Sequence, residues 1–142
     1  MSEALIRYKG IADIIVGLIL ALKPSIIYES FAAQTMHSLT GLHISDASIA
    51  PGFNQSIACM VAAVGVGHIV ASRSGPAAHP TIFAMNLTWA ILGFCTCATP
   101  KTWGLGSATL LMTSCSHTLF SLGLFWTDPG VWGGQKQGKK RR

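Results

Sequence analysis

The chain has 142 residues, half of them apolar, with ten Lys or Arg and five Asp or Glu. A soluble domain carries about a quarter charged residues, so this composition excludes an ordinary water-facing surface. The net charge of +5 could point to nucleic acid, but the positions of the charges argue against that. Between Asp46 and Asp128 only Arg73 and Lys101 are charged, and they divide the region into three long uncharged blocks.

In chain order, residues 1–9 form a polar lead and the first apolar run extends from Gly10 to Leu22. That run is short for a hydrocarbon core of ~30 Å, which needs about 20 helical residues. It reaches spanning length by recruiting its flanks, giving a first span over about 6–24, with Arg7, Lys9 and Lys23 snorkelling to the interfaces. A cleaved signal peptide is the rival reading. Against it, Lys23-Pro24 stands where a small-residue cleavage site belongs, and Asp13 would be an odd passenger.

A linker of unusual length then runs to Pro51. Its stretch Ile26-Ile27-Tyr28-Glu29-Ser30-Phe31, with Met36 and Leu39, is partly amphipathic and predicts a short interfacial helix or cap. Three spans follow, over about 52–71, 80–99 and 103–126, and 127–142 form a basic tail. Short connections at Ser72–His79 and Pro100-Lys101 force antiparallel neighbours. The expected fold is all-α: an integral-membrane, four-helix, up-down bundle in one domain over 1–142, with a long luminal linker between helices 1 and 2. Small residues such as Ala58, Ala62 and Gly65 would permit close helix contact or a homo-oligomer.

Cytosolic flanks collect Lys and Arg. With four spans and a cytosolic N-terminus, that side holds Arg7, Lys9, Arg73, Lys136, Lys139, Lys140, Arg141 and Arg142, against Lys23 and Lys101 on the other. The positive charge is therefore topogenic, and no nucleic-acid partner is expected. The end Lys139-Lys140-Arg141-Arg142 looks like a dilysine retrieval signal, which predicts an endoplasmic-reticulum membrane protein with both termini cytosolic. Cys59, Cys95, Cys97 and Cys115 all fall in spans, where neither disulfide nor metal is expected.

Ionisable groups within a span are costly and tend to face a cavity or a partner. Each span carries a polar residue at a similar depth: Asp13, His68, Asn86 and His117 in order. Helical spacing puts Gly10 and Gly17 on the stripe of Asp13, Gly65 on that of His68, Trp89 and Gly93 on that of Asn86, and Ser114 and Ser121 on that of His117. The chemical reading is a carboxylate and imidazole set for acid–base work, with Asn86 and the serine hydroxyls orienting a water or a substrate oxygen. The plainer reading is a Lys9–Asp13 pair at the interface, an interfacial His68 and helix-bonding roles for Asn86 and His117. A second cluster, Tyr28, Glu29, His37, His43 and Asp46 with Asn54 and Gln55, offers an alternative site on the opposite side built on Tyr28, Glu29, His43 and Asp46.

With Gly17 and Pro24 placed like the glycine and proline of a first span, the chain resembles small four-span membrane proteins of the DoxX-like kind. It also resembles fungal secondary-metabolite membrane hydrolases and cyclases in size and hydropathy. The second resemblance implies an endoplasmic-reticulum enzyme of lipophilic natural-product biosynthesis. Such an enzyme would open an epoxide by hydrolysis, or cyclise a polyketide or terpenoid, without metal or organic cofactor. Asp13 would then be acid or base, His68 and His117 its partners and Asn86 an orienting group. The implied partners are a lipophilic small-molecule substrate and membrane lipid. A non-enzymatic protein that binds or carries a small lipophile, or scaffolds biosynthetic partners, is the alternative.

Overall fold

The computed structural model describes residues 1–132. Their regular structure is helical except for an isolated bridge between His43 and Ser107. Four helices have 19 to 21 residues: α1 (Ser2–Leu22), α4 (Pro51–Ala71), α5 (His79–Cys97) and α6 (Ala108–Thr127). Two short ones, α2 (Ser25–Tyr28) and α3 (Phe31–Thr40), occupy the linker. The apolar stretches Pro51–Ala71, Pro76–Cys97 and Ala108–Thr127 are long and apolar enough to cross a membrane. The helix α1 is as long, but Arg7, Lys9 and Asp13 lower its hydropathy.

Local chemistry moves several predicted boundaries. The first helix starts at Ser2 rather than near residue 6, and it stops at Leu22 because Pro24 disfavours helical geometry at Lys23, which has φ −151° and ψ 71°. The fourth begins with Pro51, whose fixed φ and missing N–H suit a first turn. The fifth ends at Cys97, two residues short of the expected 99. The last span begins at Ala108 instead of 103. A 3-10 turn over Lys101–Trp103 ends on Gly104 at φ 64°, a conformation that favours glycine and breaks the helix. Ser107 then caps the new helix, its Oγ accepting from Leu110 N–H at 3.1 Å, while the His43 carbonyl accepts from Ala108 N–H at 2.9 Å.

Packing joins the long helices in two antiparallel pairs, α1 with α4 and α5 with α6. A Cβ at Gly10 would lie 2.6 Å from the Gly65 carbonyl oxygen, and one at Gly17 would lie 2.9 Å from that of Ala58. The backbones approach that closely because glycine leaves the space empty. Gly93 lets α5 meet α6 in the same way, since a Cβ there would overlap Ser114 Oγ. The helix α3 packs on α6 and α1 also touches α6, whereas α4 and α5, although joined by a short loop, meet only sparsely.

The far end of the α1–α4 pair is tied by side chains. Asn54 Nδ2 donates to the Leu20 carbonyl at 2.9 Å and Gln55 Nε2 to that of Ala21 at 3.0 Å, satisfying acceptors that a helix end leaves free. The first residues of the tail expected from 127 are tied into the fold, since Asp128 pairs with buried His79 at 2.7 Å and Val131 enters the core beside Ile6, Phe83 and Leu124. Lys136, Lys139, Lys140, Arg141 and Arg142, and with them the retrieval signal, lie outside the described residues.

Polarity is inverted relative to a water-soluble bundle. His68, Asn86 and Ser114 are buried, while Leu18, Val70, Leu92, Leu119 and Trp126 are exposed. This is the pattern expected where hydrocarbon, in place of water, surrounds the helices.

Candidate active site

One hydrogen-bonded and ion-paired set crosses all four long helices. Lys9 and Asp13, one turn apart on α1, form an ion pair. Asp13 Oδ2 lies 3.2 Å from His68 Nδ1 on α4. His68 Nε2 is 3.0 Å from Asn86 Nδ2 on α5, and Asn86 Oδ1 is 2.6 Å from His117 Nδ1 on α6. All four residues singled out from the sequence therefore meet, although they are far apart along the chain.

A single backbone atom fixes the proton arrangement. Asn86 Nδ2 also donates to the Ile82 carbonyl at 2.8 Å. A carbonyl oxygen can only accept, so the amide nitrogen of Asn86 must face Ile82 and its oxygen must face α6. It follows that His117 Nδ1 carries a hydrogen and donates it to Asn86. It follows equally that His68 Nε2 is the unprotonated, accepting nitrogen, which leaves the hydrogen of neutral His68 on Nδ1, towards Asp13. That last contact is close but not aligned as a hydrogen bond. The free end of the set is His117 Nε2.

Asp13 and His117 line one cavity of about 160 Å³, whose other walls are Met60, Val61, Val64 and Trp89. The Trp89 ring leans on the His117 ring, with centroids 5.6 Å apart. Phe120 meets His68 edge-on at 5.9 Å and also lies under the Lys9 ammonium. The ionisable groups are thus enclosed by aromatic and aliphatic walls, where low polarity strengthens each electrostatic interaction. His68 and Asn86 are sealed in, whereas Asp13 and His117 are only partly buried.

Not every expected role survives. Ser114 Oγ donates to the Leu110 carbonyl and Ser121 Oγ to that of His117, both at 2.8 Å, so the hydrogen of each hydroxyl is engaged within its own helix, and neither serine lines the Asp13–His117 cavity. The glycines beside the polar residues serve helix contact, with Gly10 and Gly65 facing each other.

The alternative cluster does not converge. Among the described residues no hydrogen bond or ion pair joins Tyr28, Glu29, His43 and Asp46 to one another. Tyr28 Oη donates to Asn54 Oδ1 at 2.7 Å and reinforces the α1–α4 tie, and its burial pushes the phenol up from its ordinary value. Glu29 and His43 are exposed. Asp46 accepts from Ser48 N–H at 2.8 Å in a turn, and hydrogen bonds from the Ser48 side chain and backbone hold its carboxyl below the usual range. His37 Nδ1 donates to the Leu42 carbonyl at 2.6 Å and closes the end of α3.

Sequence reasoning missed the His79–Asp128 pair, which fastens the start of α5 to the chain just beyond α6. The signal that could have found it is topological: antiparallel helices joined by a short loop bring the first residue of one beside the last of the other. No protein-family profile, curated protein or solved structure matches the chain.

Proposed function

We propose that this chain is a multi-pass membrane enzyme that opens an epoxide by hydrolysis, or closes a ring, on a lipophilic substrate by acid–base catalysis. The observation that carries the reading is the set Lys9–Asp13–His68–Asn86–His117, in which Asp13 and His117 face one cavity. His117 Nε2, unprotonated in the neutral ring, takes the proton of the attacking water or substrate hydroxyl as the new C–O bond forms and the epoxide C–O bond breaks. Asp13, held as a carboxylate by Lys9, faces the imidazolium so formed across the shared cavity and stabilises it. The imidazolium then delivers that proton to the ring-opened oxygen, which resets the site. His68 and Asn86 hold the other two in register and do not touch the reacting atoms.

The cavity is smaller than the ~300–1,000 Å³ of a drug-sized site, so it suits the reacting group of a lipophile whose remainder lies outside. In this reading α1 is the fourth span, both termini are cytosolic, the linker is luminal and the tail addresses the protein to the endoplasmic reticulum. Lipophilic polyketides and terpenoids are the substrate class.

The test is turnover of lipophilic polyketide and terpenoid epoxides by microsomes that contain the protein. General acid–base groups contribute about 10²–10⁴-fold, so Asp13→Asn and His117→Gln should each lose at least about a hundredfold. Full activity in Asp13→Asn would overturn the assignment. A second reading, binding of a lipophile without turnover, is favoured by a groove of about 450 Å³ between α5 and α6, lined mostly by apolar side chains, Phe83, Leu87, Leu122 and Phe125 among them.

A further inference from the structure

The sparse contact between α4 and α5 leaves a groove of about 500 Å³ against the surrounding medium. Its walls include Val64, Gly67 and Val70 from α4 and Thr81, Ile82 and Met85 from α5. Val64 is also a wall of the Asp13–His117 cavity, so the groove adjoins the polar chamber at its inner end. At the outer end the groove reaches Ser74 and Ala78, in the loop that carries Arg73. Arg73 is exposed and makes no ion pair among the described residues, and it is the only charged residue between Asp46 and Lys101. From Val61, level with the chamber, to Ala71 at the end of α4 is about 15 Å at ~1.5 Å per residue.

We infer that this groove seats a single-chain amphiphile, such as a fatty acid, with its anionic head at Arg73 and its reacting group part-way along the chain, at Asp13 and His117. The inference rests on the acid–base reading above for the chemistry, but not for the binding. An apolar chain gains little by leaving lipid for an equally apolar groove. Selection must therefore come from the two polar ends, the Arg73 charge and the chamber, and from the distance between them. A terminal functional group would sit at the wrong depth, and a mid-chain one would reach the chamber.

Fluorescence quenching tests this without turnover. Protein with Trp103, Trp126 and Trp132 changed to Phe, so that Trp89 alone emits, is placed in phosphatidylcholine nanodiscs. The probes are a long-chain fatty acid brominated at mid-chain, the same acid brominated at its methyl end, and the methyl ester of the first. The mid-chain acid should quench Trp89 saturably and the end-brominated acid less. The ester should bind about tenfold more weakly, and Arg73→Gln should bring the acid down to the level of the ester. Gly67→Leu, whose Cβ would meet nothing within 4 Å, should fold as judged by circular dichroism and weaken acid and ester alike.

Equal quenching by acid and ester, with no effect of Arg73→Gln, would overturn the head-group assignment. Quenching that rises linearly with probe fraction without saturating would mark ordinary annular lipid. Loss of an oligomer on cross-linking of Gly67→Leu, with probe binding unchanged, would give the groove to a second copy of the chain. Saturable binding of a mid-chain epoxy acid that is never hydrolysed would defeat the acid–base reading and leave the groove assignment standing. Turnover of lipophilic epoxides without saturable quenching would do the reverse.

Discussion

Asn86 does the most at the residue scale, because one amide serves two histidines and a backbone carbonyl. Interhelical hydrogen bonds in membranes average only ~0.6 kcal/mol, but a buried group left without its partner costs about 1–3 kcal/mol. Asn86→Leu removes the bonds to His68 and His117 and strands both rings, so the second effect decides. The expected loss is roughly 2 kcal/mol, read from unfolding in mixed micelles, and a neutral outcome would show that the rings find other partners. The sequence marked this residue as a group that orients a water or a substrate. That it orients the two histidines was not legible, because this depends on the Ile82 carbonyl one turn earlier, a backbone atom that no side-chain pattern announces. Asp13 was legible for the opposite reason, since a carboxylate in an apolar run must find a partner wherever the chain folds. The serine hydroxyls of α6 misled, as Ser in a helix commonly bonds to its own backbone.

The glycines divide into two kinds at the scale of the element. Gly65 meets the α1 backbone, where a Cβ would lie 2.7 Å from the Gly10 carbonyl oxygen, and backbone cannot give way. Gly65→Ala should therefore part α1 from α4 and cost roughly 1–3 kcal/mol, the usual range for overpacking. Two residues on, Gly67→Ala meets open space and should gain up to about 1 kcal/mol of helix propensity. The paired measurement is an unfolding midpoint for each variant, and equal effects would deny the close contact. Asp128→Ala should free the buried ring of His79 and loosen the chain beyond α6, at a cost of about 1–3 kcal/mol. Apolar run lengths revealed where the long helices lie, but their ends moved by several residues where turn chemistry intervened, most clearly at Gly104 and Ser107. The linker helix was foreshadowed by amphipathic spacing over 26–39. Its packing against α6 was not, because contact between distant segments leaves no local periodicity.

For the whole molecule, the arrangement is two antiparallel helix pairs held together across a polar seam. Three of the helices are apolar enough to cross a membrane by composition alone. The first carries Arg7, Lys9 and Asp13, and its place beside the others rests on the Asp13–His68 contact and on glycine contacts that a hydropathy count ignores. If α1 spans, residues at its two ends face opposite compartments. Single cysteines at Ser2 and Ser45, in a protein whose four native cysteines are serine, should react with an impermeant maleimide from opposite sides of oriented vesicles. Labelling from the same side would place α1 on the membrane surface instead.

The seam itself is tested most directly by the protonation of its two imidazoles. Nitrogen-15 spectra of histidine-labelled protein in nanodiscs at neutral pH should show His68 and His117 neutral, each with its hydrogen on Nδ1, and His68 Nε2 accepting a hydrogen bond. His117→Gln and His68→Gln assign the signals. Asn86→Leu should abolish the fixed tautomer of His117. A wild-type His117 with its hydrogen on Nε2, or a tautomer indifferent to Asn86, would contradict the four-helix set and the catalysis built on it.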